Sequence, residues 1–124
     1  MHERISVHGI CFMGDSFQQQ AEYWRQLEAR RVCMVSPQIE DEGVTAAKEV
    51  LLTGNYILEN IVNPFLPGQQ LNANQASWET PRAMLNKQIK AAVKLGAKSI
   101  YMTSGGHGDM TWEQSADTFA KAIA

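Results

Sequence analysis

The chain has 124 residues, of which 44% are hydrophobic, a size and composition that fit one domain with its own core. Eleven basic and 13 acidic residues leave a net charge of -2, which argues against a nucleic-acid or anionic-lipid surface. No apolar run has the length of a signal peptide or of a membrane span. We therefore predict a single cytoplasmic domain over residues 1–124, with no membrane and no nucleic acid as partner.

The first segment predicts a strand followed by a helix. A mostly apolar run marks a strand over residues 5–12, on which His8 points to one face and Val7 to the other. Either Asp15 or Ser16 can cap the following helix, which runs to about residue 30. Its apolar stripe places Trp24 in the core.

The second segment repeats this pattern in a shorter form. Residues 32–35 predict a strand that stops at Ser36-Pro37, because proline cannot extend a central ladder. An acidic loop over residues 40–42 then precedes a helix over residues 44–52. Gly54 is expected to end that helix as its left-handed cap.

The third segment contains the longest irregular stretch. A strand over residues 56–62 is closed by Asn63-Pro64, and a loop follows over residues 65–77. Loops of this length are often functional. Thr80-Pro81 is a favourable helix start. The buried stripe of that helix is predicted to be Leu85, Ile89, Ala92 and Val93.

The fourth segment is a strand over residues 99–103, a glycine-rich loop over residues 104–109 and a final helix. Thr111 and Gln114 form a capping box at the start of the helix. Its apolar face is predicted to be Trp112, Ala116, Phe119, Ala120 and Ile123.

Short helix-to-strand turns and longer strand-to-helix loops are typical of parallel α/β folds. Residues 27–32 also resemble residues 95–100, and both pass from a helix end through a basic turn into a strand. Cys11 and Cys33 lie at different heights on their predicted strands, so we expect two reduced core thiols rather than a disulfide.

Three stretches carry a resemblance to a known family: residues 27–37, residues 94–106 and residues 111–120. Together they are similar to the sugar phosphate isomerase/epimerase family, whose members are xylose isomerase-like TIM barrels. The similarity is a pattern of small and apolar positions over nearly the whole chain, and the fourth segment carries most of it. It implies an α/β fold of parallel (βα) units, the first four of a (βα)8 barrel.

The same resemblance implies a metal-dependent isomerase, epimerase or dehydratase that acts on a small sugar or polyol. The family's divalent metal, Mg, Mn, Zn or Co, is typically held by Glu, Asp and His side chains on later strands. No metal ligand is therefore assigned to this chain, and the chain alone is expected to be inactive.

Five residues are candidates for contact with a substrate. His8 can donate to a sugar hydroxyl or serve as an interior histidine, and Glu59 can transfer protons or form a structural ion pair. Asn63 can bind substrate or shape a turn. Trp78 can stack on a sugar ring or pack against the third helix. His107 can bind substrate or stay in a mobile loop, and with Asp109 it provides only two metal ligands, which are not a site.

Four units alone leave two sheet edges open. We therefore expect either a homodimer or a missing C-terminal half. Two other interpretations stay open: a non-catalytic half-barrel that acts in binding or assembly and closes by dimerisation, and a flavodoxin-like open sheet.

Overall fold

The computed structural model describes residues 1–124 and has an α/β fold built on one sheet of four parallel strands. The sheet order is β1-β2-β3-β4, which is the order of the chain. The strands are β1 (Ser6–His8), β2 (Arg31–Val35), β3 (Ile57–Pro64) and β4 (Ser99–Thr103). The helices are α1 (Phe17–Gln26), α2 (Ser36–Glu42), α3 (Val44–Thr53), α4 (Glu79–Leu95) and α5 (Trp112–Ile123). None of these helices combines the length and apolarity that a membrane crossing needs.

The main core lies between one face of the sheet and the helices. Strand residues enter it, among them Val32 and Met34 of β2 and Leu58 and Ile61 of β3, between which a register shift interrupts the alternation. Helices α1, α3 and α4 contribute Phe17, Trp24, Val50 and Ala92. Because side chains alternate along a strand, the residues between these positions point to the opposite face. That open face is formed by Ser6, His8, Cys33, Val35, Asn60, Val62, Ser99, Tyr101 and Thr103.

A second core cluster lies under the loop that joins β3 to α4. Its buried members are Phe65, Leu66, Leu71, Trp78, Leu85 and Ala122. The long loop is therefore packed over much of its length, and it ends in a short 3-10 turn over Gln75–Trp78.

Three helix-to-strand turns share one geometry. The left-handed residue is Glu28 (φ 52°), Asn55 (φ 51°) or Gly96 (φ 71°). In each turn the next residue donates its N–H to a carbonyl five positions earlier, over 2.8 to 3.0 Å. These are Schellman motifs, and they explain the resemblance between residues 27–32 and 95–100. The prediction that Gly54 is the left-handed cap was wrong, because Asn55 takes that conformation and Gly54 stays helical.

Two helix starts match their sequence signals. Ser16 accepts from the N–H of Gln19 while the Gln19 side chain accepts from the N–H of Ser16, which selects Ser16 over Asp15 as the cap. Thr111 and Gln114 form the second capping box.

The first strand is shorter than the predicted 5–12. It ends at His8, and residues Gly9–Phe12 form a 3-10 turn that the His8 side chain caps. A Cβ on Gly9 would approach the carbonyl oxygen of Cys33 to 3.0 Å, so the tight approach of this turn to β2 suits glycine. As a result Cys11 is exposed rather than in the core, while Cys33 is buried as predicted.

Strand β2 stops at Val35, before Ser36-Pro37 as predicted, but the predicted acidic loop over residues 40–42 belongs to a helix, α2. Pro37 lies in its first turn, where its missing N–H costs nothing. The prediction that Asn63-Pro64 closes β3 as a turn was also wrong, because both residues pair with β4. Pro64 is the last residue of the strand, a position at which a missing donor is tolerated.

The buried faces of α4 and α5 differ from the predicted stripes. On α4 the buried residues are Leu85, Gln88, Ala91 and Ala92, whereas Ile89 and Val93 are exposed. On α5 only Ala122 is buried, and Trp112 is 79% exposed. Helix α5 has fewer neighbours because no strand lies beyond β4.

Candidate functional site

A cleft of about 600 Å³ lies where β2 and β3 end. Ser36 and Pro37 of α2 form one wall, and Thr80 and Met84 of α4 form the other. Loop residues from Phe65 to Gln69 contribute to its lining. The cleft is thus at the carboxyl end of the strands, the edge at which parallel α/β proteins place their ligands.

The cleft is lined by a buried polar pair. The hydroxyl of Ser36 donates to Oδ1 of Asn63 over 2.9 Å, and each residue is only 4% exposed. Asn63 lies opposite Met102 in the sheet, and Met102 packs in the second core cluster. Asn63 therefore points to the helix side of the sheet and reaches the cleft there, not the open face.

Glu40 is the charged residue in the cleft lining. Its Oε1 accepts from Nε2 of Gln88 over 2.9 Å and lies 3.5 Å from Nζ of Lys87. Gln88 is 1% exposed, so the hydrogen bond from this buried side chain restricts the position of the Glu40 carboxylate. A carboxylate beside a serine, an asparagine and several prolines suits a small ligand with hydroxyl groups. The sequence prediction missed Glu40, although Pro37 as a helix start would have placed it one turn after Ser36.

His8 lies on the open face of the sheet, as its alternation with Val7 predicts. Its Nδ1 accepts from the N–H of Ile10 over 3.1 Å, which places the proton of the neutral ring on Nε2. Burial lowers the pKa of His8 below 6.5. The imidazole is therefore neutral near pH 7, with one N–H available to donate to a ligand.

Glu59 lies at the opposite end of the sheet from the cleft. Its Oε1 accepts from Nζ of Lys98 over 2.9 Å and also pairs with Arg31. Hydrogen bonds from Lys98 and then from Arg31 lower the pKa of Glu59. A carboxylate that two cations hold ionised is poorly suited to take up a proton, so its position fits the structural ion pair.

Trp78 does not line the cleft. It is 3% exposed, donates from Nε1 to the carbonyl of Asn72 over 2.9 Å, and carries the Arg82 guanidinium 5.5 Å from its ring centre. Its surroundings correspond to the packing alternative rather than to a sugar platform.

His107 lies in the exposed loop after β4, beside a groove of about 460 Å³. Trp112 and Phe119 line the same groove. The loop is held to the β3–α4 loop, because Leu71 donates its N–H to the carbonyl of Gly106 over 2.7 Å.

The five predicted residues therefore lie in five separate surroundings, and no hydrogen bond joins any two of them. No three His, Cys, Asp or Glu side chains converge in the way a metal ion needs. The residues present do not form a site for the divalent metal that the family resemblance implies.

Comparison with known proteins gives information on the fold alone. No protein-family model matches the chain, and no curated protein matches it. The crystal structure of protein SMc04130 from Sinorhizobium meliloti 1021 is similar over 98% of this chain, with a TM-score of 0.74 and 15% sequence identity. The chain spans 44% of that structure, less than half of its length.

Proposed function

We propose that the chain forms the first four (βα) units of a barrel of the sugar phosphate isomerase/epimerase type. In this proposal it supplies hydrogen-bonding groups for a small sugar or polyol, while the metal ligands belong to strands that are not in this chain. One observation carries the proposal: the four strands are parallel and follow one another in chain order, with the core helices on a single face.

This arrangement favours a barrel over an open, doubly wound sheet. A flavodoxin-like sheet has the order 2-1-3-4-5 and helices on both faces. Here the order starts 1-2-3-4, and the second face carries polar residues such as Ser6 and His8 without a covering helix. The similar Sinorhizobium meliloti structure is more than twice as long as this chain, which matches only part of it. That length also supports the interpretation as part of a barrel.

The side chains of this chain are suited to binding a small sugar or polyol and to fixing its orientation. Neutral His8 offers an N–H on the open face, and Glu40 and Asn63 offer acceptor and donor atoms in the cleft. Hydroxyl groups of a sugar both donate and accept, so these groups can hold them in a fixed orientation. None of these side chains is paired with a second group that would make it a strong base.

Binding can be tested on the 124-residue chain by two-dimensional NMR of its backbone amides. D-Xylose and myo-inositol are the probes, and 1,2-dimethoxyethane, which has no hydroxyl group, is the control at equal concentration. We expect weak, saturable shifts at the carboxyl end of the strands, with none around Arg31 and Glu59. Shifts that are equally large with 1,2-dimethoxyethane, or absent with both probes, would contradict the proposal.

Two variants distinguish binding of the probes in the cleft from binding on the open face of the sheet. Glu40→Gln removes the charge that faces the cleft, and His8→Gln removes the imidazole from the open face. We expect one of the two variants to weaken the probe-induced shifts at least several-fold. Lys121→Gln, on the far end of α5, is the matched control and should leave the shifts unchanged.

A further inference from the structure

A groove of about 310 Å³ lies between α4 and the junction of α2 with α3. Ile39 of α2 and Gly43 at the junction line it, and Ala91 lines it from α4. The groove shares only Glu40 with the cleft at the carboxyl end of the strands. It is formed by helices from the middle of the chain, so its lining does not involve either edge of the sheet.

Three lysines line this groove along one face of α4. Lys87, Lys90 and Lys94 are three and four positions apart, so their side chains are neighbours on the helix. Lys87 lies 3.5 Å from Glu40, whereas Lys90 and Lys94 have no ion-pair partner within the chain. Three ammonium groups against one carboxylate give the lining a net charge of +2, although the whole chain has a net charge of -2. The groove is therefore a local site of positive potential.

The amino end of α3 reaches the same groove through Gly43 and Val44. The first N–H groups of a helix have no partner within the helix. Gly43 is the N-cap and has no side chain to accept from them, and no acidic residue lies in the first turn. A Cβ on Gly43 would meet no atom within 4 Å, so there is space beside this end of the helix. The free N–H groups and the helix dipole both favour an anion at this position.

A buried amide in the lining adds a second requirement for the ligand. Gln88 is 1% exposed and lines the groove; its Nε2 donates to Glu40, and its Oε1 has no hydrogen-bond partner in the chain. Because an ionised carboxylate only accepts, the amide nitrogen must face Glu40, and the free atom is the oxygen. A buried acceptor without a donor is costly. The groove therefore suits an anion that carries its own O–H donor.

We propose that this groove binds a hydrogen phosphate ion. Its charged oxygens accept from the N–H groups at the start of α3 and from the lysines of α4, while its P–OH group donates to Oε1 of Gln88. Sulfate has the same tetrahedral shape but no proton at neutral pH, so it can satisfy the lysines and the helix end but not Gln88. The site lies outside the cleft, and the inference does not rest on the sugar chemistry.

The test is a titration of the 124-residue chain with sodium phosphate, followed by two-dimensional NMR at neutral pH and constant ionic strength. We expect saturable shifts in the backbone amides of residues 43–46 and in the side-chain amide of Gln88. Sodium sulfate should bind at the same residues at least several-fold more weakly. Absence of saturable shifts with phosphate, or equal binding of the two ions, would overturn the proposal.

A charge variant tests the lysines of α4. Lys90→Gln removes the central ammonium group, and the fold should be unchanged because Lys90 is exposed. We expect it to weaken the binding of both ions at least several-fold. Lys121→Gln on α5 changes the net charge equally and should leave both affinities unchanged. If the two variants weakened phosphate binding equally, the attraction would come from the net charge of the chain, and the proposal would be overturned.

A second variant tests the buried amide. Gln88→Met removes both polar atoms and keeps an unbranched side chain of similar length. We expect phosphate to lose its preference over sulfate, while the affinity for sulfate stays the same. A preference for phosphate that persists in the folded variant would overturn the proposal. If Gln88→Met does not fold, the comparison of phosphate with sulfate on the unmodified chain still decides, because it needs no substitution.

Discussion

Replacement of Glu28 by glycine is expected to raise the free energy of unfolding by about 1 kcal/mol. Glu28 has a φ of 52°, a left-handed conformation in which its Cβ is close to the following carbonyl oxygen. Glycine adopts the same conformation without that cost. Part of the gain is offset because glycine has more freedom in the unfolded chain.

Substitutions in the other two Schellman turns give stability changes with which the effect of Glu28→Gly can be compared. Asn55→Gly should stabilise the protein less than Glu28→Gly, because asparagine tolerates the left-handed region better than glutamate does. Gly96→Ala should destabilise it by about 1 kcal/mol. A Cβ on Gly96 would meet no atom within 4 Å, so this variant reports the conformational cost alone.

Urea unfolding followed by circular dichroism measures all three variants. The midpoint should shift while the slope stays constant, and about 1 kcal/mol should move the melting temperature by about 4 °C. Glu28 also lies 3.6 Å from the N-terminal amine, and Glu28→Gln controls for the loss of that contact. If Glu28→Gly proved neutral while Gly96→Ala cost the expected amount, the reasoning about Glu28 would be refuted.

Two other predictions concern the candidate site. Since the pKa of His8 is lowered below 6.5 on folding, its contribution to stability is complete above pH 6.5 and is lost as the pH falls below that value. The difference in unfolding free energy between wild type and His8→Gln should therefore shrink on acidification, and a difference that is constant with pH would contradict this. Ser36→Ala leaves Oδ1 of Asn63 buried without its donor, so urea unfolding should show a loss of about 1–3 kcal/mol. The exposed control Ser99→Ala should change stability by no more than about 0.5 kcal/mol, and an equally small effect of Ser36→Ala would count against the buried pair.

Features with local causes were predictable from the sequence. The capping box at Thr111 and Gln114 depends on residues three positions apart, and strand β4 has the predicted bounds of residues 99–103. Helix α3 begins at the predicted Val44 and ends one residue later than expected. The parallel arrangement followed from the alternation of strands and helices.

Features that depend on neighbours were not predictable in the same way. On α4 the polar Gln88 is buried, and its Nε2 donates to Glu40 of a different helix. This moves the buried stripe away from Ile89 and Val93. Trp112 has the spacing of a core residue, but its helix lies beside the last strand of the sheet. Periodicity identifies an apolar face, whereas the neighbouring element decides whether that face is covered.

In the candidate site, too, local features were predictable from the sequence and features that depend on neighbouring elements were not. The sequence placed His8 on the correct face, because alternation is a local property of a strand. It missed Glu40, because the helix around Glu40 was interpreted as a loop. For Glu59 it left proton transfer and a structural ion pair open, because the ion pairs of Glu59 with Arg31 and Lys98 come from strand pairing and the turn before β4.

The order of the strands also has a consequence for how the chain folds during synthesis. Each strand pairs with the one that leaves the ribosome just before it, so a docking edge already exists when the next strand emerges. No strand has to insert between two that are already paired, and the contacts that form the sheet are short in sequence. Folding can therefore proceed by stepwise addition from the N-terminus, and at each stage the exposed edge is the one that the next unit covers.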